Sequence, residues 1–372
     1  MYKGFCSTSI EFMDKESLVS AMTSAQKRMV LILSESAARR YNMENVASMI
    51  GERKDSVWIR ESVSYPNQDT IINTLAQIDK LNPEIIFAIG GGSSIDLAKV
   101  VKAFYMYDRI MLETELSERL QQKCYLDNDI QIVAVPTTAG TGAEVTKWAT
   151  VWDRENKCKY SVDADNLKPD NAYIIPEFMA GAGIELTIST GLDSVAHAME
   201  AYWSKKSNPL VRELAKQSLY ISTEVLGKIV DNPDDIMLRE KQSVASLISG
   251  LAFSMTRTTA CHSISYPLTM DYGIQHGIAV AMTLPSVLEM NEGYYVEAEE
   301  LKGVFAKQGG FTQFLDELCK KGNISLKLVD YGVKKEEIMN IVNKTFTLGR
   351  MDNNPVLIDK AMVEEILMSI YH

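Results

Sequence analysis

Short apolar runs alternate with longer amphipathic stretches along roughly the first 180 residues. Residues 29–33, 56–59, 85–89, 132–135 and 172–175 form runs too short for buried helices, and they read as strands. Residues 15–26, 36–50, 69–81 and the stretch from Ile95 onward carry helical spacing. Apolar strands that alternate with helices predict a parallel sheet with helices on its faces. Residues 2–12 predict a short strand or hairpin, 148–153 with 160–163 a β-hairpin, and 113–129 a polar loop. After Ala180-Gly181-Ala182-Gly183, read as a linker, the strand signals nearly vanish. Helical spacing then takes over at 192–204, 210–230, 234–254, 276–291, 296–307, 312–322, 335–345 and 360–370. The expectation is an α/β domain over 1–180 and an all-helical domain over 181–372, with a cleft between them to hold a site.

Composition narrows the partners. A net charge of -11 argues against nucleic acid and anionic membranes, which both reward a basic face. No apolar leader and no membrane-length run is visible, and the five cysteines are scattered without a CxxC. They read as free thiols of a cytoplasmic protein.

Two loops follow strands and suit a nucleotide. Gly90-Gly91-Gly92-Ser93-Ser94-Ile95-Asp96 joins an apolar run to a helix, where bare backbone amides and the helix dipole can meet a pyrophosphate. It is neither GxGxxG nor a P-loop, and a tight strand-to-helix turn is the plainer alternative. Pro136-Thr137-Thr138-Ala139-Gly140-Thr141-Gly142 follows the next strand and is rich in hydroxyls. Glu35 closes the second apolar run, where a carboxylate accepts from a ribose 2′-hydroxyl and favours NAD over NADP. Arg39 and Arg40, one turn on, argue the other way.

The chain has four histidines, and all but the C-terminal His372 fall in two apolar segments. Asp193 and His197 are four residues apart on one helical face, in a stretch read as the opening turns of a helix. His262 and His276 lie in the second segment. One oxygen and three nitrogens suit Fe2+ or Zn2+ and leave a coordination position for substrate. A set of satisfied core histidines is the competing reading.

Taken together, Gly-Gly-Gly-Ser-Ser-Ile-Asp-Leu-Ala-Lys, Pro-Thr-Thr-Ala-Gly-Thr-Gly-Ala-Glu-Val-Thr, Gly-Leu-Asp-Ser-Val-Ala-His-Ala-Met-Glu-Ala-Tyr and the His262–His276 pair, with Asn353-Asn354-Pro355 near the end, occur in one order. This resembles the iron-containing (group III) alcohol dehydrogenases over nearly the whole chain. The resemblance implies the architecture shared with dehydroquinate synthase: an α/β dinucleotide-binding domain followed by an all-α metal-binding, catalytic domain. It implies Asp193, His197, His262 and His276 as metal ligands. It assigns Gly91, Gly92, Ser93 and Asp96 to the pyrophosphate loop, Thr137, Thr138 and Thr141 to the second cofactor loop, and Lys159 to the ribose. It also implies a homodimer or larger homo-oligomer, with the N-terminal strand at the interface.

Departures from the family bear on substrate. Many members carry a second histidine four residues after the first, where this chain has Tyr266, leaving the proton to a phenol, water or a ribose hydroxyl. In place of Phe-Ser-Asn-Ala and a glycine stand Phe253-Ser254-Met255-Thr256-Arg257-Thr258-Thr259. Arg257 among hydroxyls suggests a site for an anionic group; the alternative is that it faces outward or pairs locally. The surrounding runs look similar to the phosphonoacetaldehyde reductase (hydroxyethylphosphonate dehydrogenase) branch, with Trp148 and Phe253 as pocket walls. The expected reaction is metal-assisted hydride transfer between NAD(P)H and a short anionic aldehyde of the phosphonoacetaldehyde or sulfoacetaldehyde type. Reduction of neutral aldehydes such as lactaldehyde or butanal, and a dehydroquinate synthase-like lyase, are the alternatives.

Overall fold

In a computed structural model, residues 6–62, 65–109, 111–153, 158–346 and 349–372 are described. The chain divides into two compact units, 1–138 with 143–179, and 139–142 with 180–372.

The first unit carries strands β1 (Ser9–Phe12), β2 (Met29–Ile32), β3 (Ser56–Ile59), β4 (Ile85–Gly90), β5 (Gln131–Pro136), β6 (Trp148–Asp153), β7 (Cys158–Asp163) and β8 (Asn171–Ile174). Its helices are α1 (Lys15–Ser24), α2 (Glu35–Arg40), α3 (Glu44–Gly51), α4 (Gln68–Gln77), α5 (Gly92–Phe104), α6 (Glu113–Gln122) and α7 (Pro176–Met179). Six strands form one sheet in the order β1-β8-β5-β4-β2-β3, every pair parallel. Both faces of this sheet are buried. Val30, Ile32, Ile86, Ala88, Ile132 and Ala134 enter one core, and Met29, Leu31, Phe87, Ile89, Val133 and Val135 enter the other. That explains why the strands read as unbroken apolar runs. β6 and β7 pair antiparallel as a separate hairpin. The turn expected between them lies outside the described residues, as do residues 2–5 of the N-terminal strand. The rest of that segment is not a hairpin: β1 pairs in parallel with β8.

The second unit is helical: α8 (Ile184–Trp203), α9 (Pro209–Asp231), α10 (Ile236–Thr256), α11 (Ala260–Tyr272), α12 (His276–Ala281), α13 (Leu284–Asn291), α14 (Ala298–Val304), α15 (Phe311–Lys321), α16 (Ile338–Lys344) and α17 (Lys360–Ser369). α8 is buried along most of its length, including every residue from Gly191 to Trp203. A helix buried nearly all round lies at the centre of a bundle. Glycines bring its neighbours close: a Cβ on Gly191 would lie 2.3 Å from Leu226 of α9, and one on Gly277 would lie 1.8 Å from the Ser189 carbonyl oxygen. No helix among the described residues is long and apolar enough to cross a membrane.

Several expected boundaries move. The Asp193–His197 stretch lies in the middle of α8, which starts at Ile184, because the preceding turns are capped at Gly183 and not by a polar side chain. The polar loop expected at 113–129 contains α6, whose apolar stripe is only Leu116 and Leu120 and whose polar face pairs Arg119 with Glu115. The single helix expected over 36–50 is two, broken at Asn42 in a left-handed conformation (φ 53°). The helix expected over 276–291 restarts near Pro285 at the beginning of α13. Finally, α11 was not expected at all. It is buried from Ala260 to Thr269 and holds Pro267 inside, so no amphipathic period marks it.

Candidate active site

Strand order reverses between β2 and β4, since β3 lies outside β2 while β5 lies beyond β4. In an open parallel sheet such a point opens the carboxyl ends of the two strands to a ligand. Glu35 begins α2 just after β2, its side chain 52% exposed and 3.9 Å from the Arg39 guanidinium. Gly91 caps α5 just after β4, followed by Gly92 and Ser93. Thr137 and Thr138 follow β5, and a Cβ on Gly91 would stand 3.5 Å from Thr138 Oγ1. These residues share the carboxyl edge of the sheet. Asp96 turns elsewhere and accepts from the Thr150 amide at 2.9 Å. Lys159 lies on β7 with its ammonium 5.9 Å from the Trp152 ring centroid. Trp148 begins β6, and its carbonyl accepts from Lys99 Nζ at 2.8 Å. Thr141 belongs with the helical unit.

In the helical unit, α8, α11 and α12 bring four side chains together. Asp193 Oδ1 lies 3.3 Å from His262 Nε2 and 3.9 Å from both His197 Nε2 and His276 Nε2. The two nitrogens of His197 and His262 stand 3.0 Å apart. Donor atoms of Asp193, His262 and His276 all fall within 4.8 Å of one another.

Outer partners fix where the imidazole protons are. His197 Nδ1 lies 3.2 Å from the Gly140 carbonyl, an atom that only accepts, so Nδ1 donates and Nε2 keeps its lone pair. Gly140 is required there, because a Cβ would sit 2.2 Å from the Thr190 carbonyl oxygen. His262 Nδ1 donates to Glu200 Oε2. Glu200 is fully buried on α8 and also accepts from Thr259 Oγ1 (2.9 Å), the Cys261 amide (2.8 Å) and the His262 amide (3.3 Å). Two imidazole lone pairs and Asp193 Oδ1, which has no hydrogen-bond partner, therefore converge in a buried space. Such atoms repel unless a cation stands among them, and a mixed nitrogen and oxygen set fits Fe2+ or Zn2+.

The titration behaviour agrees. Burial pushes the His197 imidazole down to about 4, with Asp193 only partly opposing it. Burial would raise the Asp193 carboxyl, yet the surrounding imidazoles hold it well below the usual carboxylate range. Burial works against the His262 imidazolium as well, but Glu200 and then Asp193 raise that group above its ordinary value. The carboxylates that would attract a proton there would equally attract a metal ion.

Aromatic rings line the cluster. Phe253 stacks on His197 with centroids 4.0 Å apart, and Tyr266 lies parallel to His276 at 5.9 Å. Burial pushes the Tyr266 phenol up to about 12, with the Arg350 charge partly offsetting it. Arg350 Cζ stands 5.1 Å from the Tyr266 ring centroid, and its Nε donates to Thr258 Oγ1 at 3.2 Å. Arg257 follows α10 at φ 65° and ψ 174°. Sequence reasoning gave no role to Glu200 or Arg350. Glu200 continues the 193, 197 face one turn further, a signal that was present; Arg350 has none, because its partners lie far away in sequence.

A parallel sheet with the strand-order reversal of nucleotide-binding folds and a buried nitrogen and oxygen donor group suit an enzyme that uses a dinucleotide together with a metal ion. Family models described as iron-containing alcohol dehydrogenase and as the C-terminal part of the Fe-containing alcohol dehydrogenase family match residues 13–176 and 187–371. The chain is similar to the NAD-dependent methanol dehydrogenase of Bacillus methanolicus, 32% identical over 84% of each chain. It is 28% identical to the NADPH-dependent butanol dehydrogenase of Clostridium saccharobutylicum over 93% of this chain and 92% of that one. Against the phosphonoacetaldehyde reductase of Streptomyces viridochromogenes it is 33% identical, over 60% of this chain and 57% of the relative. In fold it is similar to the crystal structure of the sulfoacetaldehyde reductase from Bifidobacterium kashiwanohense in complex with NAD+, with a TM-score of 0.86 and 24% identity over 98% and 97% of the two chains. The chain belongs to the iron-containing alcohol dehydrogenase family. It is an alcohol and aldehyde oxidoreductase of the NAD(P)- and metal-dependent kind.

Proposed function

We propose that this chain reduces a short anionic aldehyde with NADH, at a divalent ion held by Asp193, His197, His262 and His276. The observation that carries the metal assignment is the convergence of lone pairs on a buried, unpartnered Asp193 Oδ1. A divalent ion bound there supplies Lewis acidity toward a carbonyl oxygen, and the nicotinamide supplies the hydride. Protein residues do the positioning. The Gly140 carbonyl and Glu200 lock His197 and His262 with their Nε2 atoms inward. Phe253 covers one face of His197 and keeps water from it, while Tyr266 walls His276.

On the cofactor side, the start of α5 at Gly91, Gly92 and Ser93 offers amides to a pyrophosphate, with Thr137 and Thr138 as flanking hydroxyl donors. Glu35 at the end of β2 supports NAD over NADP, because a 2′-phosphate would meet its carboxylate. Arg257, beside Thr258, supports an anionic substrate. The similarity to a butanol dehydrogenase supports a second reading, in which the aldehyde is neutral. Oxidation of NADH with phosphonoacetaldehyde, sulfoacetaldehyde, lactaldehyde and butanal side by side separates the two. The anionic reading expects the highest kcat/KM on one of the first pair, and equal or better turnover of butanal rejects it.

A further inference from the structure

We infer that Gly142 is a positioning residue for His197. Seated on Gly250 of α10, it brings the Gly140 carbonyl to the imidazole and so decides which ring nitrogen carries the proton. The consequence for metal binding rests on the four-ligand reading above; the placement of the proton does not.

Two close approaches hold residues 139–142 against the helical unit. A Cβ on Gly140 would lie 2.2 Å from the Thr190 carbonyl oxygen of α8. One on Gly142 would lie 2.6 Å from Gly250 Cα and 3.4 Å from Gly250 N of α10. In both cases the neighbour is helix backbone, tied into its own hydrogen-bond ladder and unable to swing aside as a flexible side chain does. Gly142 also has a φ of 59°, which glycine adopts without cost. The loop therefore meets α8 at Gly140 and α10 at Gly142, backbone against backbone.

The same contacts reach His197. Phe253, one turn beyond Gly250, stacks on the imidazole with centroids 4.0 Å apart and planes 10° from parallel. The Cβ on Gly142 would also lie 3.1 Å from Phe253 Cε1, so a side chain there would press on this ring as well. The His197 ring is thus held on one face by Phe253 and at its Nδ1 edge by the Gly140 carbonyl, 3.2 Å away. Both holds lean on residue 142. His262 is secured differently, by the carboxylate of Glu200. A neutral imidazole carries one proton on either of two nitrogens, and the acceptor at Nδ1 makes the choice. If the carbonyl moves away, the proton is free to occupy Nε2 and cover the lone pair that a metal ion needs. A loop read from sequence as part of a cofactor site therefore serves the donor cluster too.

The test uses 15N-labelled imidazoles, few enough in a chain of four histidines to be assigned one by one. It compares the wild type, G142A and a control, G332A. Gly332 has a φ of 79°, but a Cβ there meets nothing within 4 Å, so the control carries backbone strain without displacing a neighbour. In metal-free protein, the wild type and G332A should show His197 protonated at Nδ1. G142A should show a mixture of the two tautomers, with His262 unchanged. Zn2+ affinity, read by competition with a chelator, should fall about 10- to 100-fold in G142A and stay level in G332A, as expected for losing an outer hydrogen bond to a metal-bound histidine. G250A adds a methyl group to the same contact from the α10 side, favours the helix, and takes over the test if G142A does not fold. A single Nδ1-protonated His197 in the folded variant overturns the inference. An equal change in G332A, or loss of the His262 signal together with that of His197, overturns it too, since general loosening would then be the cause. Weakened NADH binding with His197 unchanged would likewise overturn it and leave the loop to the cofactor alone. If the tautomers mix as expected but the wild type holds no Zn2+, the four-ligand reading falls and the inference stands.

Discussion

Helices α5 and α8 both carry charged side chains into the interior, and they meet the cost in opposite ways. On α5, Lys99 is fully buried, and burial pushes its ammonium down to about 8. Lys99 and Asp96 have their partners within the same unit: Lys99 Nζ donates to the Trp148 carbonyl, lies 3.4 Å from Thr146 Oγ1 and 3.9 Å from Asp96, and Asp96 accepts from the Thr150 amide. On α8, Glu200 is likewise saturated, but Asp193 Oδ1 gathers three imidazole nitrogens and bonds to none of them. A satisfied buried network is scaffold; one whose lone pairs converge is arranged for a missing charge. The contrast separates buried polar groups that hold the fold from those proposed here to hold a ligand.

Removing a donor from α8 should have the largest effect. His262→Ala is expected to lose bound metal and to lower kcat about a thousand-fold or more, since metal polarisation supplies several kcal/mol. Metal analysis and turnover check it together, and a variant that retains both would break the distinction. On α5 the damage should instead be to stability. Lys99→Met leaves Asp96 and the buried Glu144 without their cation and is expected to destabilise by about 3 kcal/mol in denaturant titration, with metal content intact. Loss of metal from that variant would show the clusters to be coupled.

Glu200→Gln tests the saturated part of α8. It keeps an acceptor for the Cys261 amide but presents a neutral partner to His262, and metal affinity should fall about 10- to 100-fold in competition with a chelator. Unchanged affinity would reduce Glu200 to a cap for α11. The smallest effect concerns the strained backbone. Arg257→Gly should stabilise the fold by about 1 kcal/mol, because glycine adopts φ 65° freely. Destabilisation would mean that the side chain's contacts outweigh the strain.

What could be read from sequence follows from how local each signal is. The parallel sheet was legible because its central strands β2 and β4 are buried on both faces and carry no polar side chain at any position. Asp193 and His197 were legible because four residues make one helical turn. The helix bearing His262 and Tyr266 was not, since a segment buried on all sides shows no period. Glu200 reaches its partners across some sixty residues, at Thr259, Cys261 and His262. Arg350 meets Thr258 across ninety-two. Pairings of that reach leave no spacing to recognise.

Ala139–Gly142 belong to the helical unit although the chain on either side of them belongs to the other. The backbone therefore passes between the units three times, and no single cut yields two complete modules. A fragment beginning at residue 180 would keep Asp193 and all three imidazoles yet lack the Gly140 carbonyl that sets the proton on His197. Recombination that exchanged the nucleotide half at one crossover would import a foreign copy of that carbonyl with it. In evolutionary terms, the sheet-bearing unit and the proton placement on His197 are inherited together, stitched by four residues.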